Sequence, residues 1–128
     1  MTIERLRDFS LALSGAYLDF PFGGTTMTVR VGPPGRGRIF VLADVEGRPP
    51  KANLKCEPDL ARDLRAAYPA AVIGGWHMNK EHWNTVTVDG ELEDELVERM
   101  ILHSYERVVA GLPRKHRPLA AAPTVTRA

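Results

Sequence analysis

Between residues 25 and 55 the chain is punctuated so tightly that few folds remain open to it. "TMTVRV" alternates, with Met27, Val29 and Val31 on one side and Thr26, Thr28 and Arg30 on the other. "GPPGRG" follows as a glycine- and proline-built turn, then the more continuously apolar "RIFVLADV", a second turn "EGRPP", and the alternating "KANLK". Parallel neighbours need a crossover of a dozen or more residues, and these turns are far shorter. The three runs therefore predict an antiparallel meander, with "RIFVLADV" as its central strand.

The flanking segments predict helices. Thr2 is placed to cap a first helix whose apolar stripe is Ile3, Leu6, Phe9 and Leu13, stopped at Ser14-Gly15. "AYLDFPFGG" reads as a brief edge strand, broken by Pro21 and two glycines. Pro58 suits the first turn of a second helix, with Leu60, Ala61, Leu64, Ala67 and Tyr68 as its buried stripe and Pro69 as its end. Trp83 to Asp89 alternates again, and Asp89-Gly90 turns. The longest helix follows, with Leu92, Leu96, Val97, Met100, Ile101, Tyr105, Val108, Val109 and Leu112 at helical spacing. Glu93, Asp94 and Glu95 load its first turns as a solvated acidic start suited to the helix dipole. The expected architecture is α+β, an antiparallel sheet with helices on one face. The other face would carry Thr26, Thr28, Arg30, Lys51, Asn53, Lys55, Thr85 and Thr87, polar, basic and open to a partner.

At 128 residues, 44% apolar and 26% charged, the chain suits one soluble domain, expected over 1–119 with 120–128 as a flexible tail. Cys56 is its only cysteine, so no internal disulfide forms and a cytoplasmic home is expected. No apolar run approaches a membrane span, and "MTIERLRDF" lacks the apolar core of a secretory leader. The net charge of +1 alone argues against a strongly basic nucleic-acid binder, yet the charge is polarised. Residues 30–55 hold Arg30, Arg36, Arg38, Arg48, Lys51 and Lys55 against two acids. Residues 56–112 carry a net −6, and Arg114, Lys115, Arg117 and Arg127 make the end of the chain basic. Such asymmetry fits a polyanionic partner as well as ordinary surface variation.

The densest chemistry lies in "GGWHMNKEHWNTV", residues 74–86, which holds both tryptophans and His77 and His82. A metal would need more ligands than one loose histidine pair and Cys56 supply. A Cys56 dyad with His77 or His82 is conceivable, but no nucleophile elbow, phosphate loop or carboxylate pair supports catalysis. Cys56 itself falls where a free cysteine serves as a small hydrophobe. As a purely structural element the stretch would be a tight turn, with Asn79 bonding its own backbone and Trp76 and Trp83 covering a core edge. As a recognition element it would present Trp83, in phase with the outward Thr85 and Thr87, flanked by Lys80 and His82.

"HMNKEHWNTV", the "DG" and acidic spacer after it, "LHSYERVVAGLP", "KANLKCEPDLARDLRAAYP" and "MTIERLRDF" together resemble the MmcQ/YjbR-like family of small bacterial proteins. The resemblance covers about residues 2–117. The matching positions are Lys55, Pro58, His77, Asn79, Lys80, His82, Trp83, Ser104 and Tyr105. It implies a frataxin-like α/β fold, DNA binding with a "double wing" description, and no catalytic residues to carry over. The expectation is a nucleic-acid-binding module of modest, salt-sensitive affinity. Its candidate contacts are Arg30, Arg36, Arg38, Arg48, Lys51, Lys55, Lys80, His82, Trp83, Arg114, Lys115 and Arg117. A non-catalytic protein- or small-ligand-binding scaffold on the same face is the alternative. DNA is the candidate partner; no cofactor, metal or membrane is expected, and a monomer is favoured.

Overall fold

The computed structural model describes residues 1–118; the expected tail at 120–128 lies outside the described residues. Three α-helices, α1 (Ile3–Leu11), α2 (Pro58–Ala67) and α3 (Asp94–Gly111), accompany six strands: β1 (Ala16–Asp19), β2 (Thr26–Val31), β3 (Arg38–Asp44), β4 (Lys51–Lys55), β5 (Val72–Gly74) and β6 (Trp83–Thr87). The strands form one sheet in the order β1-β2-β3-β4-β6-β5, antiparallel at every pairing. The meander of β2, β3 and β4 stands as the turns require, and β1 is an edge strand. No helix among the described residues is long and apolar enough to cross a membrane.

Register sorts the side chains between two faces. Val29, Val41 and Leu54 align across one face, as do Ala43, Ala52 and Val86. Against them α3 lays Val97, Met100, Ile101, Tyr105 and Val108, all buried, and Phe40 meets Tyr105 edge to face at 5.2 Å. Thr2 caps α1 by accepting the Arg5 N–H at 3.0 Å. Asp94 is more than a solvated first-turn acid: with Glu98 it holds Arg5, at 2.9 and 3.0 Å, tying α1 to α3.

The continuous apolar run of β3 has a local cause. Val29 faces Val41, but Arg30 faces Ile39, so Phe40 is an extra residue in the strand. This bulge turns both Phe40 and Val41 to the helices, and it breaks the β3–β4 ladder beyond Val41. Ser104 of α3 fills the break: its hydroxyl donates to the Phe40 carbonyl at 2.6 Å and accepts the Lys55 N–H at 2.8 Å. The neighbouring His103 accepts the Glu57 N–H at its Nε2, at 3.1 Å. Burial, with Arg107 beside it, lowers the His103 pKa and so favours the neutral ring that can accept. Glu57 in turn caps α2. The N–H groups of Asp59 and Leu60 hold its carboxyl below the usual range.

Two expectations are corrected. The stripe assigned to α2 is too wide: Ala61 is buried, but Leu60 and Ala67 are exposed. The helix packs mainly over the three-residue edge strand β5, which offers too little surface to bury a full face. The basic segment after α3, expected only to contact phosphates, is also used by the fold. Arg117 turns back and donates to the Ala110 and Leu112 carbonyls at 2.9 and 3.0 Å, closing the end of α3. Arg117→Ala is expected to lower stability by about 0.5–1 kcal/mol, a few degrees in thermal melting, because it removes both a C-terminal cap and a favourable dipole contact. An unchanged melting temperature would show that these bonds contribute nothing.

Candidate nucleic-acid interface

The face turned away from the helices was expected to be open, but its centre is covered. Thr28, Asn53 and Thr85 are all buried there. The Thr28 hydroxyl donates to the Asp19 carbonyl at 3.1 Å. Asn53 and Thr85, opposed in register, bond each other and take hold of the loop between β5 and β6. The Thr85 hydroxyl accepts the Trp76 N–H at 2.9 Å, and the Asn53 amide donates to the Trp76 carbonyl at 3.3 Å. Both backbone groups of Trp76 are thus fixed by two floor side chains, a pairing of residues 53, 76 and 85 that strand alternation cannot reveal.

The rest of the loop is equally determined. The Gly75 N–H donates to the Trp83 carbonyl at 2.8 Å, and a Cβ on Gly75 would stand 2.7 Å from that of Trp83, so only glycine fits. Asn79 bonds its own backbone, accepting the Glu81 N–H at 2.8 Å. Lys80 reaches back to the Gly75 carbonyl at 3.0 Å, and Arg65 to the Lys80 carbonyl at 3.1 Å. His77 sits at φ 60°, the left-handed region that side chains avoid, and its ring stacks on Trp76 at 4.6 Å. Trp76 nevertheless remains 68% exposed. It is held by its backbone, not buried as a core-edge cover.

Across the sheet a second hairpin tip, between β1 and β2, turns through Gly23 and Gly24 at positive φ and leaves Phe22 66% exposed. Phe22 and the Trp76-His77 stack line one cleft of about 540 Å³, floored by Leu42, Asn53 and Thr85. Arg48 and Lys51 supply its cations and Asp44 its one acid. The Glu46 N–H and the Thr25 hydroxyl hold the Asp44 carboxyl low, so it stays charged.

The sequence-predicted contacts are thereby divided. Arg48 and Lys51 belong to the cleft. Arg30, Lys55 and Trp83 line a second hollow beside β4, which Arg38, level with the buried Val31, closes from the helix side together with Val108 and Gly111 of α3. Arg30 is held by Asp19 and the Gly37 carbonyl, at 3.1 and 3.2 Å, and Arg38 by the Gly111 carbonyl at 2.9 Å. Trp83 faces outward as its phase implies but is half-buried. Arg36, Lys80, His82, Arg114, Lys115 and Arg117 line neither hollow. Lys80 and Arg117 are committed to backbone carbonyls, and His82 lies 3.7 Å from Glu81. Ser104 and Tyr105 are framework: Tyr105 donates to the Ser14 carbonyl under α1. Sequence reasoning missed Phe22 and Trp76 as the exposed rings, and the signal available for both was an aromatic flanked by glycines at a turn.

Cys56 is buried, and burial with the neighbouring Glu57 pushes its thiol up to about 11, leaving little thiolate near neutral pH. Among the described residues no three His, Cys, Asp or Glu side chains gather as metal ligands.

The YjbR family model matches residues 11–107. The chain is 32% identical to the Escherichia coli K12 protein YjbR over 120 residues, covering 93% of this chain and 97% of that one. It is 31% identical to YbdF of Escherichia coli O157:H7, covering 88% of each. The crystal structure of Deinococcus radiodurans protein DR2400, a DUF419 domain, superposes with a TM-score of 0.85 at 29% identity over 94% of both chains. A Pseudomonas syringae protein shares the fold, with a TM-score of 0.70 at 22% identity over 84% of this chain and 99% of that one. The chain belongs to the YjbR family.

Proposed function

We propose that this protein binds nucleic acid in the cleft between its two hairpin tips, with a single-stranded segment as the preferred form. The observation that carries this reading is the pair of exposed aromatic walls, Trp76 on His77 and Phe22 opposite, sharing a cleft with Arg48 and Lys51. Large rings left in water at the tips of ordered turns mark contact surfaces. Bases stack on such rings without regard to sequence, and adjacent cations take the phosphates. Two cations against Asp44 make the affinity modest and strongly salt-dependent. The cleft volume also falls in the range of small-molecule sites, so a planar anionic small molecule is the second reading.

Titration of tryptophan fluorescence at low salt with a single-stranded oligonucleotide, a duplex and an RNA strand separates these. Quenching strongest with the single strands is expected. The affinity should fall as salt rises, with a logarithmic slope of about 0.7 for each phosphate contacted. A protein that responds to none of the three, in fluorescence or in gel shift, does not bind nucleic acid.

A further inference from the structure

We infer that the sheet face away from the helices receives a strand and not a single nucleotide, along a track beside β4 from the aromatic cleft to the cationic hollow at Trp83. This rests on the nucleic-acid reading of the cleft and adds to it a second subsite, a direction and a minimum length. The cleft and the hollow are neighbours, because Met78 lines both. The hollow, about 320 Å³, takes Arg30, Lys55 and Trp83 from this face, while Arg38, Val108 and Gly111 close it from the helix side; Asp19 pairs with Arg30 at 3.1 Å. The guanidinium groups there are oriented by their carbonyl and carboxylate partners yet keep further N–H donors, since each Arg carries five. Lys55 stands beside Trp83 in register.

β4 sets the spacing. Lys51 and Lys55 point to the same side with Asn53 between them, their Cα atoms about 13 Å apart at the usual strand rise. Neither forms an ion pair with another described residue. Lys51 lines the cleft and Lys55 the hollow. Separate phosphates of one strand satisfy both, with a base on Trp76 at one end and another against Trp83 at the other. The flexible, polarisable Met78 forms the saddle between them. Arg48, Lys51, Arg30 and Lys55 supply the charge complementarity along this path, set against Asp44 and, at Arg30, Asp19.

The chain's two tryptophans report one subsite each. In Trp83→Phe the remaining Trp76 is expected to respond to thymidine monophosphate and to oligothymidylates of two, four and eight nucleotides. In Trp76→Phe the remaining Trp83 is expected to stay silent with the monophosphate and respond to the four- and eight-nucleotide strands. Lys55→Gln should weaken binding of the eight-nucleotide strand several-fold and reduce its salt slope by about 0.7, with binding of the dinucleotide unchanged. If Trp76 responds to the eight-nucleotide strand while Trp83 does not, or if Lys55→Gln changes neither affinity nor slope, the track is overturned and the cleft stands alone. A Trp83 that already responds to the monophosphate also overturns it. If neither tryptophan responds to any ligand in the unaltered protein, the nucleic-acid reading falls with it.

Discussion

Ser104→Ala is expected to destabilise this protein by about 2–4 kcal/mol, a large loss for the removal of one oxygen atom. The hydroxyl is fully buried and serves two backbone groups, accepting from Lys55 and donating to Phe40. Alanine leaves an N–H and a C=O without partners in the interior, each at a cost of about 1–3 kcal/mol, partly recovered where the strands relax. An ordinary exposed serine on a helix would cost a few tenths. Chemical denaturation measures the difference, and a loss below about 1 kcal/mol would mean that water or a closing of the strands replaces the hydroxyl. Because the same oxygen positions the backbone of Lys55, the variant also tests whether the end of β4 is held from α3.

That bond shows where sequence reading reaches and where it stops. The Gly/Pro turns of residues 32–37 and 46–50, the Thr2 cap and Pro58 are local signals, and the elements they bound are present. The long stripe of α3 is a regular pattern on a regular element, so its core side was legible. The Phe40 bulge was not: an apolar run reads as a strand buried on both faces whether or not one residue is extra. Nor could alternation say what lies over a face. It placed Asn53, Thr85 and Trp83 correctly on the side away from the helices. It could not see that a loop starting at Gly75 would descend onto Asn53 and Thr85, because those bonds join residues 9 and 23 positions apart in the chain. Arg117 follows Pro113, so sequence alone offered it only as a candidate phosphate contact. A single 3-10 turn over Arg114–His116 brings it back to the carbonyls of α3. The basic residues therefore looked interchangeable in sequence, whereas Lys80 and Arg117 are used by the fold and Lys51 and Lys55 are not.

Trp76→Ala is expected to separate binding from folding. Its ring is 68% exposed and rests on His77, while its position is fixed through backbone bonds to Thr85 and Asn53 that alanine keeps. The melting temperature should stay within about a degree, since an exposed ring contributes little to the core. Affinity for a single strand should fall by about 1–3 kcal/mol, the usual worth of one base stacked on an aromatic ring. That is roughly a 5- to 150-fold weaker dissociation constant. The salt slope should not change, because no phosphate contact is removed. Fluorescence anisotropy of a labelled single-stranded oligonucleotide gives both quantities. Trp76→Phe should recover most of the loss, since a ring is retained. Equal affinity of the alanine variant and the unaltered protein would remove the cleft from the binding surface. A comparable loss with Trp83→Ala instead would move the stacking site to the cationic hollow.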